Sequence, residues 1–183
     1  MMKDMSTHEM SVIRTLGLTK RFGKETVVES LELQVPSGVV YGFLGPNGSD
    51  KSTTMKMLLG LMEPTAGEVY LFGQRLNHSN RARLLRTIGS MIEAPPGYGH
   101  LTGWENMCVV ESMLGLERRN IEQALETVHL TAHKDKLVKN YSLGMKQRLG
   151  IAMALARNPK LLILDEPANG LDPAGIEEVR ELL

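Results

Sequence analysis

An apolar run, Val39-Val40-Tyr41-Gly42-Phe43-Leu44, breaks at Gly45 into the polar loop Pro46-Asn47-Gly48-Ser49-Asp50. The helix-forming sequence Lys51-Ser52-Thr53-Thr54 follows at once. This stretch constrains the fold most, because it reads as strand, loop and helix in immediate succession. A loop that cradles phosphate needs glycine where backbone N–H groups must approach the anion, a lysine for the outer phosphates and a hydroxyl for magnesium. Gly45, Gly48, Lys51 and Ser52 fit those roles, and a helix starting near Lys51 points its partial positive end at the ligand. Residues 39–44 are expected to form a strand covered on both faces, as in a parallel sheet.

One position departs from the pattern. A phosphate loop of the form G-x-x-x-x-G-K-[ST] has glycine immediately before the lysine, and this chain has Asp50 there. A carboxylate about 5 Å from a phosphate at an effective dielectric near 20 repels it by roughly 3 kcal/mol, on the order of a hundredfold in affinity before screening by magnesium and Lys51. Any clash of the Asp50 Cβ with the phosphates adds to this.

The 183 residues suit one domain with a substantial core, and 21 acidic residues balance 21 basic ones. That balance provides no global field for nucleic acid or an anionic membrane. The single cysteine, Cys108, lies in an apolar-leaning run and is expected as a buried structural thiol. Residues 1–10 are polar, and no run approaches the roughly 18 apolar residues of a membrane-spanning helix. The chain is expected to be cytoplasmic, reaching a membrane only through a partner.

In chain order, residues 12–18 and 27–35 are strand-like, the second marked by Val27, Leu31, Leu33 and Val35. The segment Lys20-Arg21-Phe22-Gly23-Lys24 between them reads as a turn whose phenylalanine packs on the core. After the loop, Met55, Leu58, Leu59 and Met62 recur at helical spacing over residues 52–61, with Gly60 and Pro64 as stop signals. Residues 67–73 form a short glycine-bounded strand. Asn80 caps a helix carrying Leu84, Leu85 and Ile88, and residues 88–92 read as a strand running into the stiff polar loop 93–99. The pattern over 102–156 is helical: Ile121, Ala124, Leu125 and Val128 form one stripe, and Ser142 caps a helix whose buried stripe is Leu149, Ala152, Met153 and Ala156.

Leu161-Leu162-Ile163-Leu164 is a branched apolar strand that ends in Asp165-Glu166-Pro167, so the two acids emerge at its carboxyl edge, where open α/β sheets bind ligands. Phosphoryl chemistry needs one carboxylate to hold magnesium and another to orient or deprotonate the attacking water; Asp165 and Glu166 suit those tasks in that order. In Ala168-Asn169-Gly170-Leu171-Asp172-Pro173, Asp172 caps a helix and Pro173 takes its first position, with Ile176, Val179 and Leu182 inside. That helix reaches Leu183 with no closing signal and is expected to be cut in mid-element.

These motifs resemble, in order and spacing, the nucleotide-binding domain of ABC transporters: a P-loop at 45–53, a signature segment Tyr141-Ser142-Leu143-Gly144-Met145-Lys146-Gln147-Arg148, a Walker B strand at 161–166 and the D-loop Gly170-Leu171-Asp172-Pro173. The signature variant, and Glu93 where the family usually has the Q-loop glutamine, look like the bacitracin-resistance and lantibiotic-immunity group. The resemblance implies an α/β fold: a P-loop NTPase (RecA-like) core with an N-terminal antiparallel β subdomain and an inserted α-helical subdomain, truncated after the D-loop helix. Residues 1–183 would be a single incomplete domain, with 11–98 as β subdomain and P-loop half of the core, 99–157 as helical subdomain and 158–183 as Walker B and D-loop.

The resemblance also implies roles. The cofactors would be ATP and Mg2+. Phe22 would stack on adenine, against the core-packing reading above. Gly45, Asn47, Gly48 and Thr53 would line the phosphate loop, Lys51 would contact the β- and γ-phosphates, and Ser52 would hold the magnesium. Glu93 would stand near metal and water, Asp165 would bind magnesium through water, and Glu166 would be the general base. Ser142 and Gly144 would reach the γ-phosphate of a second copy in a head-to-tail homodimer, and separate transmembrane permease subunits would hold the domain at the inner face of the membrane, with no nucleic acid partner. Leu143 and Met145 depart from the usual glycine and glutamine. The family's switch-loop histidine has no counterpart among His8, His78, His100, His129 and His133.

Three functions follow. The first is the ATPase subunit of a transporter that exports or removes a peptide antibiotic or bacteriocin. The second is a non-hydrolysing relic or regulatory module, favoured by Asp50 and the missing switch-loop region. The third, a non-transport ATPase of the same fold, lacks the tandem domains or long coiled-coil insertions usual there.

Overall fold

The computed structural model describes residues 11–45, 50–93 and 97–182, and two compact units divide them, one up to Leu84 and one from Leu85. The first unit is built on a long strand, Ser11–Phe22 (β1). It pairs antiparallel with Glu25–Leu31 (β2) and Gln34–Pro36 (β3) on one side and with Ala66–Leu71 (β4) on the other, and β4 pairs with Gln74–Arg75 (β5). The Ile13–Val35 and Ile13–Leu71 pairings set the buried face, on which Ile13, Leu18, Leu33, Val35, Val69 and Leu71 lie. Full burial of such a side chain is worth about 1.5–3 kcal/mol. Thr15, buried among them, stays satisfied because its hydroxyl donates to the Leu31 carbonyl at 2.7 Å and accepts from the Leu33 N–H at 2.8 Å.

Three expectations are corrected here. The expected turn at 20–24 is narrower, since β1 runs to Phe22, which pairs with Glu25. Residues 27–35 form two strands, and Ser30 at φ 43° breaks the alternation, so that Val28 is buried instead of Val27. Residues 39–44, expected as a doubly covered strand, are irregular: Val40 is 78% and Leu44 92% exposed. A strand exists only with a ladder partner, and no described strand pairs with this run.

The helix after the loop spans Lys51–Leu58 (α1), ending with Gly60 at φ 62°. Leu58 and Leu59 of the expected stripe are buried, together with Thr54 and Met57, whereas Met55 and Met62 are half-buried. The short helix Arg81–Leu85 (α2) ends before Ile88, which belongs to the next strand; the Asn80 side chain accepts from the Asn77 N–H instead of capping the helix.

In the second unit, Ile88–Met91 (β6) and Leu161–Leu164 (β7) form a parallel pair in register, Met91 beside Leu164. The helices Gly103–Leu114 (α3), Arg118–Thr127 (α4) and Leu143–Leu155 (α5) enclose a core of Met107, Ile121, Leu125, Val128, Leu130 and Leu149. Pro173–Leu182 (α6) adds Val179 to it, whereas Ile176 is 38% exposed. Cys108 is half-buried, not buried, and accepts from the Arg118 guanidinium at 3.2 Å. Among the described residues no helix is long and apolar enough to cross a membrane.

Candidate functional site

In the first unit the phosphate-loop sequence meets a helix start. Asp50 occupies the N-cap of α1 at φ 22°, and its carbonyl accepts the first helical bond, from the Thr54 N–H at 2.8 Å. Its side chain makes no capping bond. A left-handed backbone is costly for any residue with a Cβ, so the position that the motif reserves for glycine is one where glycine would be relaxed. The Lys51 ammonium donates to the Gly45 carbonyl at 3.0 Å, and Ser52 and Thr53 follow in the first helical turn. Asn47 and Gly48 lie outside the described residues. Phe22, at the end of β1, is 49% exposed, which overturns its reading as a core residue; the Lys20 ammonium stands 5.2 Å from its ring centre.

The second unit brings three carboxylates to one edge. Because β6 and β7 run parallel with Met91 beside Leu164, Glu93 and the pair Asp165-Glu166 all follow the carboxyl ends of the same two strands. Asp165 is buried and extends the ladder, its N–H donating to the Met91 carbonyl at 2.8 Å. Glu166 is exposed at φ 45°, and Glu93 is exposed at φ 69°. Left-handed backbone at two acids of one edge is the kind of local strain that collects at functional sites. Asn169 Nδ2 donates to Glu166 Oε2 at 3.0 Å, and the Asn169 N–H donates to the Glu166 carbonyl at the same distance. Asn169 had no role in the sequence reading. An amide three residues beyond a strand-end acid, with a glycine after it, was the available signal.

Ser142 caps α5 as expected, its hydroxyl accepting from the Met145 N–H at 3.2 Å. The segment after it is tied to the turn that follows β7. A Cβ placed on Gly144 would lie 3.6 Å from Leu171 Cδ2, and one on Gly170 would lie 2.9 Å from Leu143 Cδ2. Tyr141, just before the cap, is buried, and its hydroxyl donates to the His133 carbonyl at 2.8 Å. Burial, with the Asp135 carboxylate behind it, raises its phenol above the usual 10.0. Asn106, also missed, is buried and holds both the N–H and the carbonyl of Tyr98 at 2.7 and 3.1 Å. A lone amide on an apolar helix face was its only trace in the sequence.

Chemically, the first unit offers a lysine and a hydroxyl at a helix N-terminus, and the second a buried and an exposed carboxylate at a strand edge. No three His, Cys, Asp or Glu side chains cluster as a metal cage among the described residues.

A family model for the ABC transporter matches residues 28–169. The chain is 48% identical over 174 residues to the bacitracin transport ATP-binding protein BcrA of Bacillus licheniformis, covering 94% of this chain and 56% of that one. It is 46% identical over 172 residues to the lantibiotic transport ATP-binding protein SrtF of Streptococcus pyogenes, covering 94% of this chain and 73% of that one. The chain therefore spans little more than half of BcrA. Among solved structures it superposes at a TM-score of 0.83 and 25% identity on cbiO1 from Clostridium perfringens, part of the ABC transporter complex cbiONQ, over 95% of this chain and 72% of that one. The ATP-binding cassette MJ0796, solved as a dimer in a post-hydrolysis state with ADP and Pi, matches at 0.79 and 26% over 93% of this chain and 80% of that one.

Proposed function

The chain belongs to the ABC transporter family of ATP-binding proteins, and on that premise we propose that it is the nucleotide-binding part of a system that exports or removes a peptide antibiotic. The names of its bacitracin and lantibiotic relatives support that cargo class. The observation that carries the ATP reading is the pair of carboxylates, one buried and one exposed, at the end of β7.

Lys51 would hold the outer phosphates and Ser52 and Asp165 would hold Mg2+, Asp165 through water; that metal would supply neutralisation of charge on the phosphates. Glu166 orients and deprotonates the attacking water, and Glu93 stands beside it. Phe22 stacks on adenine, with its exposed ring available for it. Asn47, Gly48 and Thr53 complete the loop, and Ser142 and Gly144 reach the γ-phosphate of a second copy. A head-to-tail homodimer acting with separate permease subunits, on the cytoplasmic side of the membrane, completes the reading.

Asp50 favours a second reading, a module that keeps the fold without turnover. ATP hydrolysis by the Asp50→Gly chain, with Glu166→Gln as its control, separates the two. Turnover abolished by Glu166→Gln supports the ATPase, and ATP binding without turnover in Asp50→Gly supports the second. Protection of cells against bacitracin on co-expression with the permease tests the cargo.

A further inference from the structure

We propose that Asn169 and Leu143 are positioning residues for the Glu166 carboxylate, Asn169 directly and Leu143 through Gly170. The inference rests on the reading of Glu166 as general base. Glu166 stands in a left-handed backbone conformation on an exposed turn, and Asn169 is a partner of its side chain. The Asn169 amide donates to Glu166 Oε2 at 3.0 Å while its backbone N–H closes the turn on the Glu166 carbonyl, and the Leu171 N–H closes the next step on the Ala168 carbonyl at 3.2 Å.

What holds the turn in place is the start of α5. Leu143, the first residue of that helix, is 44% exposed, and its Cδ2 lies over Gly170. A methyl at Gly170 would meet that carbon at 2.9 Å, closer than Cβ contacts occur, and apart from its chain neighbours no other described residue comes within 4 Å of it. In return Leu171 covers Gly144. The two leucines thus pack across the Ser142-capped helix start and the turn carrying Asn169. A shift at the helix start is therefore passed through Gly170 to Asn169 and on to the Glu166 carboxylate. The geometry of an attacking water depends on that carboxylate to within about 1 Å, a displacement that costs on the order of a hundredfold in rate.

The test is a kinetic cycle in the Asp50→Gly chain. Turnover and fluorescent-nucleotide affinity are measured for Asn169→Ala, Gly170→Ala, Leu143→Ala and the Gly170→Ala/Leu143→Ala double variant. Asn169→Ala, at an exposed position, and Gly170→Ala are expected to lower kcat about tenfold with ATP affinity within about twofold, because the lost interaction serves orientation and not binding. Shortening Leu143 makes room for the methyl at position 170, so the double variant should regain at least about threefold in kcat over Gly170→Ala, the cost of the left-handed φ cancelling between backgrounds. An unchanged kcat in Asn169→Ala, or no recovery in the double variant, overturns the proposal. If the Asp50→Gly chain binds ATP but does not turn it over, the general-base reading and this proposal fall together; if it turns over and the cycle shows no coupling, this proposal falls alone.

Discussion

The Lys51 ammonium donates to the Gly45 carbonyl oxygen at 3.0 Å, so the charge at the start of α1 is directed toward the residue that opens the loop sequence. On the proposed reading that ammonium meets the outer phosphates. Replacing Lys51 with Met in the Asp50→Gly background should weaken ATP binding by about tenfold or more, in line with a charge-assisted contact to phosphate. Arginine should not restore it, since its fork is longer and planar where a compact charge is required. Nucleotide titration of the two variants checks this.

Tyr141 and Gly103 are matched in the same way. A Cβ on Gly103 would fall 2.1 Å from the Tyr141 hydroxyl oxygen, so Gly103→Ala should destabilise the chain by about 2–3 kcal/mol by overpacking. Tyr141→Phe should cost about 1–2 kcal/mol through the lost bond to the His133 carbonyl. Because the phenylalanine has no hydroxyl to clash, the double variant should be less destabilised than the sum of the two. Urea denaturation of the three variants gives the coupling.

Two groups predict how stability varies with pH. Folding raises the Tyr141 phenol above 10.0, so its contribution is complete below that value and is lost as pH rises through the folded one. At the start of α3 the backbone N–H and then the hydroxyl of Thr102 hold the Glu105 carboxyl below 4.5; its contribution is present above that value and is lost as pH falls through the folded one. The urea midpoint should therefore fall less steeply with alkali in Tyr141→Phe and less steeply with acid in Glu105→Gln. Equal slopes for variant and parent would show that these groups do not govern the pH dependence.

What was legible in the sequence was local. Ser142 announces its helix because a cap and the stripe behind it lie within a few turns, and the run Leu161-Leu162-Ile163-Leu164 announces a strand because its length and its terminating acids are contiguous, although only Ile163 of the four is buried. Asp172 and Pro173 mark the start of α6 for the same reason, and the Asp172 carboxylate indeed accepts from the Gly175 N–H at 2.9 Å. What failed depended on distant partners. Residues 39–44 have the composition of a strand, but strand structure is conferred by pairing. Phe22 looked like a core aromatic until the extent of β1 carried it to an exposed strand end. The contact between Leu143 and Gly170 joins residues 27 positions apart, the first read only as a departure from its motif and the second only as a match to its own.

The central claim is that this chain keeps a working phosphate loop weakened by one side chain, and Asp50 tests it most directly. A carboxylate about 5 Å from a bound phosphate would repel it by roughly 3 kcal/mol, and the left-handed backbone at Asp50 costs about 1 kcal/mol of stability that glycine would not carry. Fluorescent-ATP titration with magnesium should therefore show the Asp50→Gly chain binding at least about tenfold, and on the order of a hundredfold, tighter than the parent, with a higher unfolding midpoint. Equal affinities in the two chains would contradict the account: equally tight binding would remove the electrostatic argument, and equal absence of binding would remove the loop as an ATP site.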